Sequence, residues 1–127
     1  MIYGIGTDIV RIDRIRDSLE RHGERFARRL LTAAELADYQ VSRQPERFLA
    51  KRFVAKEAVV KALGIGFREG LTFNLIGVIH DRYGKPEIVY SEQALAYTRA
   101  IGITKSLLSL SDERDYAVAF VILLKTE

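Results

Sequence analysis

The stretch PERFLAKRFVAKEAVVKAL, residues 45–63, has the features of a long internal helix. Pro45 suits the first turn of a helix, and Gly64 follows the last apolar residue, where glycine commonly ends one. When these residues are placed at 100° intervals, apolar side chains cover almost the whole circumference, which is typical of a helix buried on most sides. We therefore predict a central buried helix over residues 45–63, in which charged side chains need partners.

Shorter elements are predicted on both sides of this helix. Alternating or continuous apolar residues predict strands at 1–10, 71–81, 87–90, 103–111 and 116–124. Further helices are predicted from an Asp13 cap to Gly23, over 24–31, from a Thr32–Glu35 capping box to Tyr39, and from Ser91 to Gly102. The last two strands are expected to pair as a hairpin. This order predicts an α+β fold, one domain over residues 1–127, with a mostly antiparallel sheet packed against the long buried helix.

Composition narrows the class of protein. The chain has 127 residues, 48% hydrophobic and 29% charged, which is typical of a globular domain and not of a disordered one. It has no apolar run near the roughly 18 residues that cross a bilayer, and Asp8 interrupts the apolar segment that a signal peptide needs, so we expect a cytoplasmic protein. The chain has no Cys and its two His residues lack metal-ligand spacing, so a bound metal must be held by oxygen.

Basic residues are concentrated near the N-terminus. Seven arginines lie between Arg11 and Arg29, interleaved with four acidic residues, although the net charge of the chain is only +3. One interpretation is a solvated helix face with i,i+4 ion pairs such as Asp17–Arg21 and Glu24–Arg28. The other is a docking face for an acidic partner, and the sequence pattern alone leaves both open.

Three charged residues are candidates for chemistry. Asp8 lies in an apolar strand, where an unpaired ionised carboxylate would cost several kcal/mol, and Gly4 and Gly6 on its face are expected to leave space beside it. Glu57 and Lys61 have i,i+4 spacing on the long helix and form either a simple surface pair or, with Asp8, a binding site. In that site the carboxylates would ligate magnesium and the lysine would act as a point charge on a polyphosphate.

Two stretches resemble the paired signatures of the 4′-phosphopantetheinyl transferase superfamily, namely GIGTDIV at 4–10 and RFVAKEAVVKALG at 52–64. The segments FLAKR at 48–52, GKP at 84–86 and SLSDERDYA at 109–117 are similar to its small holo-acyl-carrier-protein synthase branch, and the similarity spans the chain. Some members of that branch carry histidine where Asp112 stands, so a histidine role there does not transfer.

The resemblance implies a fatty acid synthesis enzyme. Such enzymes move the phosphopantetheine arm of coenzyme A to a serine of acyl carrier protein, release 3′,5′-ADP and require Mg²⁺. Asp8 and Glu57 match the metal ligands of the family, and Lys61 matches its phosphate-contacting lysine. Glu57, directly or through metal-bound water, would accept the serine proton. The resemblance also implies coenzyme A contacts from Arg52, Lys61, Gly64, Lys85, Pro86, Ser111 and Asp112.

The resemblance also implies macromolecular partners. An acidic acyl carrier protein would contact Arg14, Arg21, Arg25, Phe26 and Arg29. Complementary charge of this kind mainly raises the association rate and selects the partner. Members of the branch are often homotrimers with active sites at subunit boundaries, and we carry that over as an expectation.

Two other functions compete with this interpretation. A nucleic-acid-binding α+β domain is disfavoured, because the arginines alternate with acids, aromatic residues do not cluster with them, and +3 is a small charge for following phosphates. A carrier-protein binder without activity is disfavoured because Asp8, Glu57 and Lys61 are all present. We therefore expect neither a nucleic acid nor a membrane among the partners.

Overall fold

A computed structural model describes residues 1–126 and gives an α+β fold, as predicted. Its strands and helices follow in the order β1 (Ile2–Arg11), α1 (Ile12–His22), α2 (Glu24–Leu30), α3 (Ala33–Gln40), α4 (Pro45–Leu63), β2 (Ile76–His80), β3 (Pro86–Tyr90), α5 (Glu92–Ala100), β4 (Ile103–Asp112) and β5 (Tyr116–Lys125). A short 3₁₀ turn, Phe73–Leu75, precedes β2. Within residues 1–126 no helix is both long enough and apolar enough to cross a membrane.

The strands form two antiparallel sheets, where the sequence predicted one. A three-stranded sheet has the order β1-β5-β4, and β2 and β3 form a separate hairpin. The predicted hairpin of the last two strands is confirmed, because β4 pairs with β5 along its whole length. The inner face of the larger sheet packs on α4, and small or branched residues of β5 such as Ala119 and Val121 are fully buried there.

The bounds predicted for α4 are confirmed at both ends. Pro45 occupies the first turn, and Gly64 ends the helix in the left-handed conformation with a φ of 84°. Most of the helix is buried, including the polar Arg52 and Lys56. The helix is therefore enclosed by the three-stranded sheet on one side and by α1, α2, α3 and β2 on the others.

The two glycines before Asp8 have a role that differs from the one predicted. A Cβ at Gly4 would lie 2.1 Å from the carbonyl oxygen of Ala62, and one at Gly6 would lie 2.0 Å from that of Ala58. These glycines therefore do not open space for a ligand. They let the backbone of α4 come directly against β1, which brings the helix close to Asp8.

Replacing Gly6 with alanine is expected to destabilise the fold by at least about 2 kcal/mol, because the new methyl group would overlap backbone atoms that cannot move independently. Urea denaturation of both proteins measures this change. Gly77→Ala is the matched control, since its methyl group would lie 3.1 Å from the Thr32 side chain and 3.7 Å from the Val89 carbonyl oxygen, without overlapping backbone atoms. Equal midpoints for the Gly6 variant and the wild type would contradict this explanation.

Three local predictions were wrong at their boundaries. Asp13 does not cap α1, because β1 continues to Arg11 and the Ile12 N–H donates to the carbonyl of Asp115, 2.9 Å away. Residues 71–75 are not strand, and the Ser91 hydroxyl donates to Leu75 rather than capping α5. Apolar residues in a 3₁₀ turn and in a strand give similar short patterns.

Candidate active site

Asp8 and Lys61 meet where β1 crosses α4. The Lys61 ammonium donates to Asp8 Oδ1 at 2.9 Å and to the Thr7 carbonyl at 3.1 Å. The Asp8 side chain is 15% exposed and that of Lys61 is 53% exposed. Lys61 therefore pairs with the strand carboxylate, and the simple surface pair with Glu57 is not formed among residues 1–126. The site is open to solvent on the lysine side.

Glu57 completes the group one helical turn before Lys61. Burial raises the pKa of Glu57, the nearby Asp8 carboxylate raises it further, and the Lys61 ammonium lowers it. Gly6, two residues before Asp8, lies directly against the carbonyl of Ala58, the residue after Glu57, so the backbone brings the two carboxylates near each other. The structure therefore brings together all three residues that the sequence identified as candidates for chemistry.

The donor atoms of Asp8 and Glu57 are chemically suited to magnesium. Both donors are oxygen, and within residues 1–126 no cluster of three or more potential ligand side chains exists. Magnesium is commonly held by one or two carboxylates and takes its remaining ligands from water and substrate phosphates. Asp8 and Glu57 thus fit an ion that is completed by a phosphorylated substrate.

The residues predicted to contact a carrier protein lie together on α1 and α2. Arg14, Arg21, Arg25 and Arg29 are exposed, and Phe26 is partly buried. The Glu24–Arg28 pair forms at 3.3 Å, but the Asp17–Arg21 pair does not form within residues 1–126. The surface is thus arginine-rich with few internal ion pairs.

A groove of about 870 Å³ lies beside this surface, and we call it the aromatic groove. One wall consists of Ser18, His22, Arg25, Phe26, Arg29 and Leu30, and the other consists of Phe67 and Leu71–Asn74. Phe53 of α4 lies between the walls, its ring centroid 5.8 Å from that of Phe73. Phe53 precedes Glu57 by one helical turn, so the groove and the carboxylate site lie on neighbouring turns of α4. No pattern in the sequence indicated this groove.

Arg52, which the sequence predicted to contact coenzyme A, is buried inside the fold. It is 4% exposed, its guanidinium lies 4.3 Å from the centre of the Phe48 ring, and its Nε is 3.2 Å from Glu35 Oε2 without hydrogen-bond alignment. Burial lowers the pKa of Arg52, while the Glu35 carboxylate opposes that change. The burial of Arg52 and its contacts with Phe48 and Glu35 therefore indicate that this side chain stabilises the packing of α4 against its neighbours.

The other predicted coenzyme contacts are separate from the carboxylate site. Gly64 ends α4, Lys85 and Pro86 close the β2–β3 turn, and Ser111 and Asp112 end β4. Within residues 1–126, no hydrogen bond or ion pair joins these residues to Asp8, Glu57 or Lys61.

Asp112 has partners that the sequence did not suggest. Arg47 donates to Asp112 Oδ2 at 2.8 Å and to the carbonyls of Glu113 and Arg114 at 2.6 and 3.0 Å. Lys51 lies 3.9 Å from the same carboxylate. The first half of α4 thus fixes the β4–β5 turn.

A partly buried pair of carboxylates with an adjacent ammonium is typical of the class of site that binds a divalent cation and a phosphorylated substrate. Comparison with known proteins gives the family. The sequence model of the 4′-phosphopantetheinyl transferase superfamily matches residues 4–121. The holo-[acyl-carrier-protein] synthase of Halorhodospira halophila is 51% identical over 124 residues, 98% of this chain and 98% of that protein.

Solved structures agree with this result. The crystal structure of holo-[acyl-carrier-protein] synthase from Neisseria meningitidis superposes with a TM-score of 0.95 at 46% identity, covering 98% of this chain and 100% of that one. The Bacillus anthracis synthase, solved in complex with CoA (3′,5′-ADP), superposes with a TM-score of 0.82 at 34% identity, covering 99% of both chains. The chain belongs to the holo-[acyl-carrier-protein] synthase branch of the 4′-phosphopantetheinyl transferase superfamily.

Proposed function

We propose that Asp8, Glu57 and Lys61 form the active site with which this chain transfers the 4′-phosphopantetheine group of coenzyme A to a serine of an acidic acyl carrier protein. The observation that carries the proposal is the meeting of these three side chains at the crossing of β1 and α4. The proposal takes residues 1–127 as one transferase domain acting in the cytoplasm, in a magnesium-dependent step that supports fatty acid synthesis.

The chemistry divides among the three residues. Asp8 and Glu57 would hold magnesium, which when bound supplies neutralisation of the diphosphate charge. Lys61 lies beside them with an exposed ammonium, well placed to stabilise the charge that develops on the oxygen of the departing 3′,5′-ADP. Glu57, whose pKa is raised by burial and by the Asp8 carboxylate, would receive the serine proton directly or through water.

The transfer itself is the direct test. The protein is incubated with coenzyme A, magnesium chloride and an apo acyl carrier protein, and the carrier is weighed by mass spectrometry. We expect a mass increase equal to one phosphopantetheine group, together with stoichiometric 3′,5′-ADP. An unmodified carrier under conditions in which a known synthase modifies it would overturn the proposal.

The arginine-rich surface of α1 and α2 would receive the carrier. Arg14→Glu is expected to raise the KM for the carrier about tenfold, leave coenzyme A affinity unchanged and flatten the salt dependence of kcat/KM. Steady-state kinetics at low and high salt measure all three. Arg99→Glu, an equal charge reversal at an exposed position of α5, is the control.

A solvated surface without a docking role predicts otherwise. In that case the stability change stays within about 0.5 kcal/mol and both kinetic constants stay at the wild-type value. A salt-sensitive change in RNA or DNA binding without a carrier effect would favour the nucleic-acid interpretation instead.

We also propose a homotrimer with active sites at subunit boundaries. The outer face of the three-stranded sheet carries exposed apolar side chains, among them Ile5 at 60% and Ile9 at 59% exposure, with Tyr116 and Phe120 beside them on β5. Apolar patches of this kind mark interaction sites. A neighbouring copy would supply the coenzyme contacts of Lys85, Pro86, Ser111 and Asp112, while Gly64 follows Lys61 at the end of the same helix.

Ile9→Glu is expected to convert the trimer to monomers, because each interface would bury an unpaired carboxylate. Sedimentation velocity of the variant and the wild type measures the assembly, and we expect transfer activity to fall with it. Val89→Glu places the same charge on an exposed position of the other sheet and should leave the trimer intact. A monomeric wild type, or a trimeric Ile9 variant, would refute the proposed assembly.

A further inference from the structure

Lys56 is fully buried, and the chemistry proposed above does not use it. Its side chain has no exposed surface, although it directly precedes Glu57 in α4. Burial lowers the pKa of Lys56, and the Glu35 carboxylate opposes that change. A lysine removed from water in this way is costly unless its N–H groups have partners. The identity of those partners indicates what the side chain does.

The three hydrogen bonds of Lys56 connect separate segments of the chain. Its Nζ donates to the Leu30 carbonyl at 2.5 Å, to Glu35 Oε1 at 2.6 Å and to the Phe73 carbonyl at 3.0 Å. Leu30 is the last residue of α2, where helix carbonyls lack partners within the helix and a cation is favourable. Phe73 opens the 3₁₀ turn before β2.

Glu35 anchors this arrangement from the other side. Its Oε1 also accepts the Thr32 N–H in the capping box of α3, and its Oε2 accepts the Val78 N–H of β2, each at 2.9 Å. The Glu35 carboxylate is 1% exposed. The Lys56 ammonium thus has one charged partner, Glu35, and two carbonyl partners that do not depend on that charge.

Leu30 and Phe73 lie in opposite walls of the aromatic groove. The same ammonium thus holds both walls, and it projects from the helix that carries Phe53 and Glu57. Arg29, one residue before Leu30, belongs to the proposed carrier-binding surface. One buried ammonium thus links the end of α2, next to that surface, with the helix that carries Glu57.

We propose that Lys56 is a positioning residue for the transfer reaction, which sets the alignment between the carrier-binding surface and Glu57 by holding both walls of the aromatic groove. The inference rests on the proposed function. It predicts that Lys56 affects how the carrier serine reaches the site and not how coenzyme A binds. Misplacement of a reacting group by about 1 Å can cost on the order of a hundredfold in rate.

The test compares two variants within the same buried cluster. Lys56→Met removes both wall contacts, and we expect kcat/KM for the carrier to fall by about tenfold to a hundredfold while the KM for coenzyme A stays within about twofold. Glu35→Gln disrupts the ion pair but leaves Lys56 its bonds to the Leu30 and Phe73 carbonyls, so the carrier constants should remain near the wild-type value despite a lower Tm. Val59→Ala, at another fully buried position of α4, controls for destabilisation alone.

A structural readout separates this inference from the proposed function. Amide hydrogen exchange at residues 24–31 and 73–76 should be faster in Lys56→Met than in Glu35→Gln. If the wild type shows no transfer, the proposed function fails. If amide hydrogen exchange in Lys56→Met is the same as in the wild type, the inference about Lys56 is overturned, whatever the transfer activity is.

The kinetic outcomes are equally decisive. The inference is overturned by an unchanged carrier kcat/KM in Lys56→Met, or by an equal loss in Glu35→Gln or Val59→Ala. Should Lys56→Met not fold, Lys56→Gln, which keeps an N–H donor on a stem one atom shorter, must show the same selective loss toward the carrier.

Discussion

Replacing Asp8 with asparagine, or Glu57 with glutamine, is expected to reduce transfer by at least about a thousandfold at saturating coenzyme A, or about 4 kcal/mol in activation free energy. Each change keeps the size of the side chain but removes one of the two anionic oxygen donors at the crossing of β1 and α4. In the proposed site magnesium would take its remaining ligands from water and phosphate, so losing one carboxylate would remove half of what the protein contributes. Single-turnover transfer to an apo carrier measures the loss.

The same variants have a readout besides activity. Calorimetric titration with magnesium chloride in the presence of coenzyme A should show weaker binding in both variants, while circular dichroism stays that of the wild type. Glu87→Gln, at an exposed position of β3, is the matched control and should transfer normally. Turnover near the wild-type rate in the Asp8 or the Glu57 variant would remove this site from the mechanism.

Lys61→Met is expected to lower kcat about a hundredfold, or about 3 kcal/mol, with a smaller change in the KM for coenzyme A. The reason is that a point charge beside the leaving group stabilises charge that appears only in the transition state. Steady-state kinetics separate the two constants, and Lys105→Met, at an exposed position of β4, controls for the loss of a surface charge. A change confined to KM would mean that Lys61 binds only the ground-state phosphate.

The pH dependence gives a second measurement on Lys61→Met. The Lys61 ammonium lowers the pKa of Glu57, so removing it leaves burial and Asp8 to raise that pKa further. If the ionised Glu57 is the base, activity is lost as the pH falls through its pKa. The acidic limb of the kcat/KM profile should therefore move to higher pH in the variant. An unmoved limb would assign the proton transfer to another group.

The parts of the fold that were predicted correctly depend on local rules. Pro45 and Gly64 act through their own backbone preferences, and Thr32 and Glu35 form the predicted capping box within four residues. The separation into two sheets depends on tertiary contacts, and no pattern in residues 71–81 carries that information. Asp13 does not cap α1, because β1 is paired as far as Arg11 and the helix begins directly after it, at Ile12.

The residues of the candidate site can be divided in the same way, into those that local rules predict and those whose partners depend on tertiary contacts. Asp8, Glu57 and Lys61 were found because charged residues in apolar elements demand partners, but the sequence alone left open the pairing of Lys61 with Asp8. The role of Lys56 was missed, although its place on the buried side of a helix was a signal that it needed a partner. Arg52 was assigned to the coenzyme by resemblance, and only its packing against Phe48 and Glu35 shows how deeply it is buried.

The close contact of β1 with α4 determines which substitutions this enzyme tolerates without losing activity. Gly6 precedes Asp8 by two residues, and Ala58, whose carbonyl it touches, directly follows Glu57. The spacing between the two carboxylates is therefore set by main chain against main chain, with no side chain between them. Core substitutions elsewhere, such as those at Val121 or Leu123, should lower the melting temperature while leaving turnover per folded molecule intact. Thermal stability and catalytic rate can thus change independently in this fold, except at these glycines and at Lys56.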